Sequence, residues 1–190
     1  MGPVSKRSAA FADLARAGVR DMRVEIVEYD PSWPAAFEEE SRRLAALLSG
    51  TDIHHIGSTA VPGLVAKPII DMVALVDSYE APVARLVAEG GYQYPQAFNA
   101  TLVKRCFLAY PTPSKRTHHL QLVDDPSELA RYLRFRDYLR TDPALARQYA
   151  TLKRTLAERH GGDREAYTEA KSEFVRRYEL PNTTPSSPGP

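Results

Sequence analysis

Residues 54–71 read His54-His55-Ile56-Gly57-Ser58-Thr59-Ala60-Val61-Pro62-Gly63-Leu64-Val65-Ala66-Lys67-Pro68-Ile69-Ile70-Asp71, and the chain continues as Met72-Val73-Ala74-Leu75-Val76. A short strand, Asp52–Ile56, delivers the chain into a Gly-Ser-Thr turn, and Pro62 and Gly63 make the loop that follows. Ile69–Val76 is the best strand of the sequence. It is β-branched and apolar on both faces except at Asp71, the pattern of a central strand. Gly57 lets the backbone approach a ligand closely, and successive turn amides form an anion nest. A carboxylate inside a central strand is costly unless a cation or a metal pairs with it. Two readings fit these residues: a ligand site built on the turn and the carboxylate, or a plain tight turn with a structural Asp71 bonded to Lys67 or to backbone.

Upstream, 23–29 (RVEIVEY) alternates as a strand or extended segment. A helix starts near Ser32, with Trp33 as its apolar anchor. Phe37, Leu44, Leu47 and Leu48 recur at helical spacing, and Gly50 supplies a left-handed stop. Downstream, 82–90 reads as a helix, and 103–110 and 118–123 as two further strands. Asp125-Pro126-Ser127-Glu128 has the form of a capping box. Asp142-Pro143 opens a second helix ending at Gly161-Gly162, and Asp163 caps a third reaching Tyr178. Strands come first and three helices last, which predicts an α+β domain over 23–180: one mixed sheet flanked by helices, with a helical carboxy-terminal portion. Residues 1–22 read as a weakly structured arm, and the proline-rich 181–190 as a disordered tail.

The 190 residues suffice to bury a core, and 43% hydrophobic with 26% charged residues is ordinary for a globular chain. A formal net charge of +1 gives no overall field to attract nucleic acid or an anionic membrane. The one cysteine, Cys106, forms no intrachain disulfide and reads as a buried strand residue. No apolar run approaches the ~20 residues that span a bilayer, and no signal-peptide pattern opens the chain, so the expected location is the cytoplasm.

The 54–71 stretch resembles the signature of the GrpB family, a branch of the nucleotidyltransferase-fold superfamily: a histidine before Ile-Gly-Ser-Thr, then Val-Pro-Gly-Leu, then Ala-Lys-Pro-Ile-Ile-Asp. Tyr29-Asp30-Pro31-Ser32-Trp33 and Phe135-Arg136-Asp137-Tyr138-Leu139-Arg140 are similar to further motifs of that family, as are Tyr149…Lys153 and Tyr167…Lys171 in the closing helices. The resemblance runs from Val24 to Tyr178. It implies a nucleotidyltransferase-like fold in which Gly57, Ser58 and Thr59 cradle nucleotide phosphates, with Lys67 helping to neutralise them, and Asp71 binds a divalent metal, Mg²⁺. Metal and positive groups would then stabilise charge on phosphorus. The superfamily's second acid lies two residues on, at the same strand face; here that position is Val73. Asp77 keeps the parity but lies about 20 Å along the strand. The GrpB resemblance also points to a domain found fused to dephospho-coenzyme A kinase in actinobacteria.

Histidine is the candidate to complete the site. His119 begins the strand 118–123, and His119, Gln121 and Val123 share one face. Asp71, His55 and His119 together form a candidate metal or acid–base cluster, with Asp71 and His119 as the catalytic pair. His54, His118 and His160 read as surface residues. In the helices, Arg136 falls within the stripe Leu129, Tyr132, Leu133 and Leu139, with Arg140 close to it, and Lys171 within the stripe Tyr167, Ala170, Phe174, Val175 and Tyr178. A cation on a core-facing stripe needs a carboxylate or an anionic ligand. Lys153 flanks the stripe of Leu145, Tyr149, Leu152 and Leu156. It either snorkels to the surface or joins Arg136 and Lys171 around an anion. Arg105, on a predicted strand, is within reach of a phosphate, but surface pairing is the commoner role of such a residue. The leading reading is a nucleotide-binding protein whose fullest form is metal-dependent nucleotidyl transfer to a small molecule. Its rivals are a non-catalytic module for nucleotides or coenzyme A-like ligands, and a different phosphoryl-transfer or ligase-type enzyme using the same pocket.

Overall fold

The computed structural model describes residues 24–179, apart from 113, 114 and 161. The arm and the tail read from the sequence lie outside the described residues. The extended segment near Val27 pairs with Ala66 through one antiparallel bridge, Val27 N–H to Ala66 O at 2.8 Å and Ala66 N–H to Val27 O at 3.0 Å. It is a tether and not a sheet strand.

Helix α1 spans Trp33–Leu47. Asp30 Oδ1 accepts from the Ser32 amide at 2.8 Å, and Trp33 is buried edge-on against Tyr29, 5.2 Å between ring centres. The helix stops where Ser49 and Gly50 take positive φ, 57° and 80°. Strands β1 (Ile53–Ile56) and β2 (Ile70–Leu75) flank a 3₁₀ turn over Ser58–Ala60. Helix α2 (Glu80–Ala88) starts two residues before its expected position. A four-residue helix α3 (Gln96–Asn99) was not expected; Asn99 ties it to the sheet through bonds to Phe107 O at 2.9 Å and from Phe107 N at 2.7 Å. Strand β3 covers Cys106–Pro111 and β4 Arg116–Val123. Residues 103–105 stay outside β3, where Lys104 takes φ 58°.

Helices α4 (Pro126–Thr141), α5 (Pro143–His160) and α6 (Arg164–Glu179) close the chain. Asp125 caps α4 by accepting from the Ser127 amide at 2.8 Å. Only half of the expected capping box forms, because Glu128 pairs with Arg131 at 2.8 Å. Asp142 caps α5 through Ala144 and Leu145 amides, and Asp163 caps α6 through Ala166.

The sheet order is β1-β2-β4-β3, with β2 and β4 parallel and the other pairs antiparallel. This is the mixed sheet with flanking helices that the sequence implies. Ile70, Met72 and Ala74 pack with Leu120, Leu122 and Leu108 against Leu44, Leu48 and Leu86 of α1 and its neighbours. Each of the buried Ile, Met and Leu side chains stabilises the fold by about 1.5–3 kcal/mol. On the opposite face Val73, Val123 and Ile56 pack under Leu129, Tyr132 and Leu133 of α4. Alternation therefore puts Asp71, His119 and Gln121 on the α4 side of the sheet. Cys106 is buried, and burial pushes its thiol up to about 12. His118, expected at the surface, is half-buried against Tyr110, and its Nε2 has no hydrogen-bond partner among the described residues. His54 and His160 are also half-buried.

Candidate functional site

Register brings the first two site residues together. Asp71 pairs with Ile56 on one side and His119 on the other. Asp71 Oδ1 and His119 Nδ1 lie 2.9 Å apart in a hydrogen bond that orients the imidazole. The chain leaves β1 directly beside this carboxylate through Gly57, at φ 70°, where an added Cβ would meet Asp71 Oδ2 at 2.7 Å. No other residue fits there without displacing the carboxylate. Burial acts to raise the Asp71 pKa, but the His119 hydrogen bond and the charges of His119, Lys171 and His55 outweigh it, so the carboxyl sits below its usual range. Asp71 is enclosed by neighbours on most sides yet keeps 38% of its side-chain surface accessible, because it faces a hollow.

That hollow, about 430 Å³, lies between the sheet and helices α4, α5 and α6. Gly57, Asp71 and Gln121 line it from the sheet, Arg131 and Tyr132 from α4, Tyr149 from α5, and Lys171 and Arg176 from α6. Arg105 and Leu102 to Thr101 form its rim, with Val103 exposed at the mouth. Lys171 makes no ion pair among the described residues, and its charge bears on Asp71. Arg105 donates to the Tyr132 hydroxyl at 2.8 Å instead of pairing at the surface. Arg131 is neutralised by Glu179 at 2.7 Å and Glu128 at 2.8 Å. Gln121 Oε1 is buried and has no hydrogen-bond partner among the described residues. Gln121 lies on the polar face it shares with His119, as its parity implies, whereas no signal in the sequence marked Arg131. Parity with Phe107, which pairs with Gln121, was the available signal for Arg105.

Other expected members go elsewhere. His55 pairs with Met72, not Asp71, and so points to the opposite face of the sheet. There it stacks on Phe37 at 4.7 Å and bonds Thr59 Oγ1 at 3.0 Å. Burial, helped by Arg140 and Arg136 and opposed by Asp71, lowers its pKa to about 4. Thr59 is itself buried and bonded to Ile69 O at 3.3 Å, so its hydroxyl is a structural pin that leaves none for a phosphate. Lys67 lies over the Tyr167 ring, 4.4 Å from its centre, outside the residues that line the hollow. Arg136 donates to Asp137 at 2.7 Å and to the His55 carbonyl at 3.2 Å, and Arg140 to the Ala60 carbonyl at 2.8 Å. The two arginines hold the backbone on either side of the Gly57 turn instead of facing the hollow.

Lys153 does not snorkel. It is 2% exposed; its Nζ lies 2.9 Å from Ser58 Oγ, donates to the Val65 carbonyl, and sits 4.7 Å from the Tyr149 ring centre. Burial first, then the nearby charges of Lys171 and Arg154, lower its pKa to about 7. The Ser58 hydroxyl is thus engaged by Lys153.

Among the described residues no three His, Cys, Asp or Glu side chains are grouped to hold a metal. The expected Asp71–His55–His119 triad does not form, because His55 is on the other face. Val73, at the position of a second acid, is fully buried under α4, and Asp77 borders a separate groove beside Arg85. One open carboxylate is a poor resident site for Mg²⁺, which binds through one or two carboxylates plus ligand phosphates. The donor set fits Mg²⁺ only as a companion of such phosphates. No helix of the described residues is long and apolar enough to cross a membrane.

Comparison with known proteins bears on this geometry. A crystal structure of the conserved protein GrpB from Enterococcus faecalis superposes with a TM-score of 0.67 at 37% identity, covering 82% of this chain and 100% of that one. A UPF0157 protein of Pseudomonas aeruginosa is 46% identical over 165 residues, 83% of this chain and 66% of that protein. The glutamate-rich protein GrpB of Alkalihalophilus pseudofirmus is 31% identical over 83% of this chain and 95% of its own length. A protein of Mycolicibacterium paratuberculosis named dephospho-CoA kinase is 28% identical over 86% of this chain but only 46% of that protein. The chain also spans only 46% of the Bacillus subtilis relative. The family model described as GrpB protein matches residues 23–180, and the chain belongs to that family.

Proposed function

We infer that the hollow binds a phosphate-bearing small molecule, with a nucleotide as the best match. The observation that carries this is Lys171, unpaired with any carboxylate within ion-pair distance among the described residues, set beside the open Asp71 and the Gly57 turn. An anion entering there gains a partner for Lys171 and meets Arg105 and Arg176 at the walls. Asp71, oriented by His119, is left to accept a hydrogen bond from a ligand hydroxyl, and Gln121 presents a carboxamide to the ligand. Mg²⁺ would supply charge neutralisation when it accompanies the phosphates. The relative named dephospho-CoA kinase agrees with a ligand of this class.

The buried Val73 favours a second reading, binding without nucleotidyl transfer. A thermal-shift panel separates the readings: ATP, CTP, GTP, UTP and coenzyme A, each with and without Mg²⁺. A ligand at a hundred times its Kd should raise Tm by about 5 °C or more, and Lys171→Met should abolish the shift. Dependence on Mg²⁺ that disappears in Asp71→Asn supports transfer chemistry; a shift indifferent to both supports the binding module. No shift with any of the five would overturn the reading.

A further inference from the structure

Phosphate binding leaves the burial of Lys153 unaccounted for. An ammonium taken out of water costs several kcal/mol and ordinarily keeps a carboxylate beside it; among the described residues Lys153 forms no ion pair. What surrounds Nζ is the Ser58 hydroxyl at 2.9 Å, the Val65 carbonyl and the face of Tyr149. A neutral amine satisfies that set, with an N–H to Val65 O and the lone pair toward the Ser58 proton. The charged groups bearing on it, Lys171 from α6 and Arg154 on its own helix, are both positive and both favour the neutral form, on top of burial.

Ser58 is placed to use this base. It follows Gly57, whose φ of 70° turns the chain sharply out of β1, and it opens the 3₁₀ turn. Strand, sharp turn, serine, helical turn is the arrangement that presents nucleophilic serines on other folds, here an analogy of geometry alone. Gly57, which precedes Ser58, and Tyr149, whose ring centre is 4.7 Å from Lys153 Nζ, both line the hollow.

We propose that Ser58 is a nucleophile with Lys153 as its general base, and that the hollow accepts a carboxylic ester or thioester whose anionic tail lies beside Lys171. Ser58 Oγ attacks the carbonyl carbon while its proton passes to Lys153 Nζ. The Oγ–C bond forms, the bond from carbon to the leaving oxygen or sulfur breaks, and Lys153 returns the proton to the leaving group. Water, deprotonated by the same amine, then cleaves the acyl–serine ester and frees Ser58. Ester and water balance the reaction. An amine titrating near neutrality is suited to both proton transfers.

The test uses the full chain and a fluorophosphonate, which a nucleophilic serine attacks at phosphorus with loss of fluoride. The reagent carries no nucleotide, so this proposal and the phosphate reading fail separately. Expected are an adduct on the peptide containing Ser58, its absence in Ser58→Ala, and labelling slowed at least about a hundredfold in Lys153→Met, which keeps the buried volume. In the wild type the rate should climb as pH rises through about 7. Ser58 unlabelled in the folded protein, or labelled equally fast without the amine, overturns the proposal. Should Lys153→Met not fold, the wild-type profile decides: a rate flat between about pH 6 and 9 is the contrary result.

Discussion

At Gly57 one missing methyl group leaves room for the Asp71 carboxylate. A Cβ there would sit 2.7 Å from Asp71 Oδ2, and φ 70° already disfavours a side chain. Gly57→Ala should therefore cost about 2–4 kcal/mol, strain and overlap together, read as a lower urea midpoint. Lys153 carries a second residue-scale prediction. Its folded pKa, about 7, lies below its ordinary 10.5. Between those values the unfolded chain binds more protons than the folded one, so this group makes stability rise with pH from about 7 upward, by a few kcal/mol across the full window. Unfolding followed from pH 7 to 9 should show that slope in the wild type and lose it in Lys153→Met. An equal slope in both would mean that the amine is solvated. Neither residue's setting was legible from spacing. Gly57 read as room for a ligand, but the room is filled by the Asp71 carboxylate. Lys153 lies at the edge of its apolar stripe, and only the meeting of α5 with the Gly57 turn decides that its amine goes inward.

Among the elements, β2 and α4 do most to define the site. The apolar run 69–76 and its single acid were readable as a central strand, and β2 is one, with two paired neighbours. His119 on β4 stands opposite Asp71, on the face its parity in the sequence implies. His55 escaped the same argument because β1 is antiparallel and opposes Ile56, not His55, to Asp71. Restoring a second acid at 73 should fail: Val73→Asp would bury a charge under Leu129, Tyr132 and Leu133 and destabilise by more than about 3 kcal/mol, without giving a Mg²⁺-dependent rise in Tm. From α4, Arg140 holds the Ala60 carbonyl and Arg136 the His55 carbonyl. Arg140→Met should cost about 1–3 kcal/mol and speed amide exchange over 57–61, leaving exchange in α2 unchanged. Uniform exchange across both would show that the clamp is not local. A helical wheel gives such a cation its direction but cannot say whether a ligand or a carbonyl waits at the end.

Over the whole molecule, the hollow exists because three helices close over one end of the sheet's second face while α4 seals the other. Strands first and helices last made that layout readable in the sequence. The unpaired stretch 103–105, the short α3 and the rim they form were not, since turn residues there carry no period. On the reading proposed above, this hollow receives phosphate beside Lys171. The most direct measurement is a crystal structure of the full chain grown with ATP and Mg²⁺. Phosphate density within hydrogen-bonding distance of Lys171 Nζ, over Gly57 and Asp71, is the predicted result. Nucleotide seated elsewhere, for instance in the groove beside Asp77 and Arg85, or a hollow holding solvent alone, would contradict it.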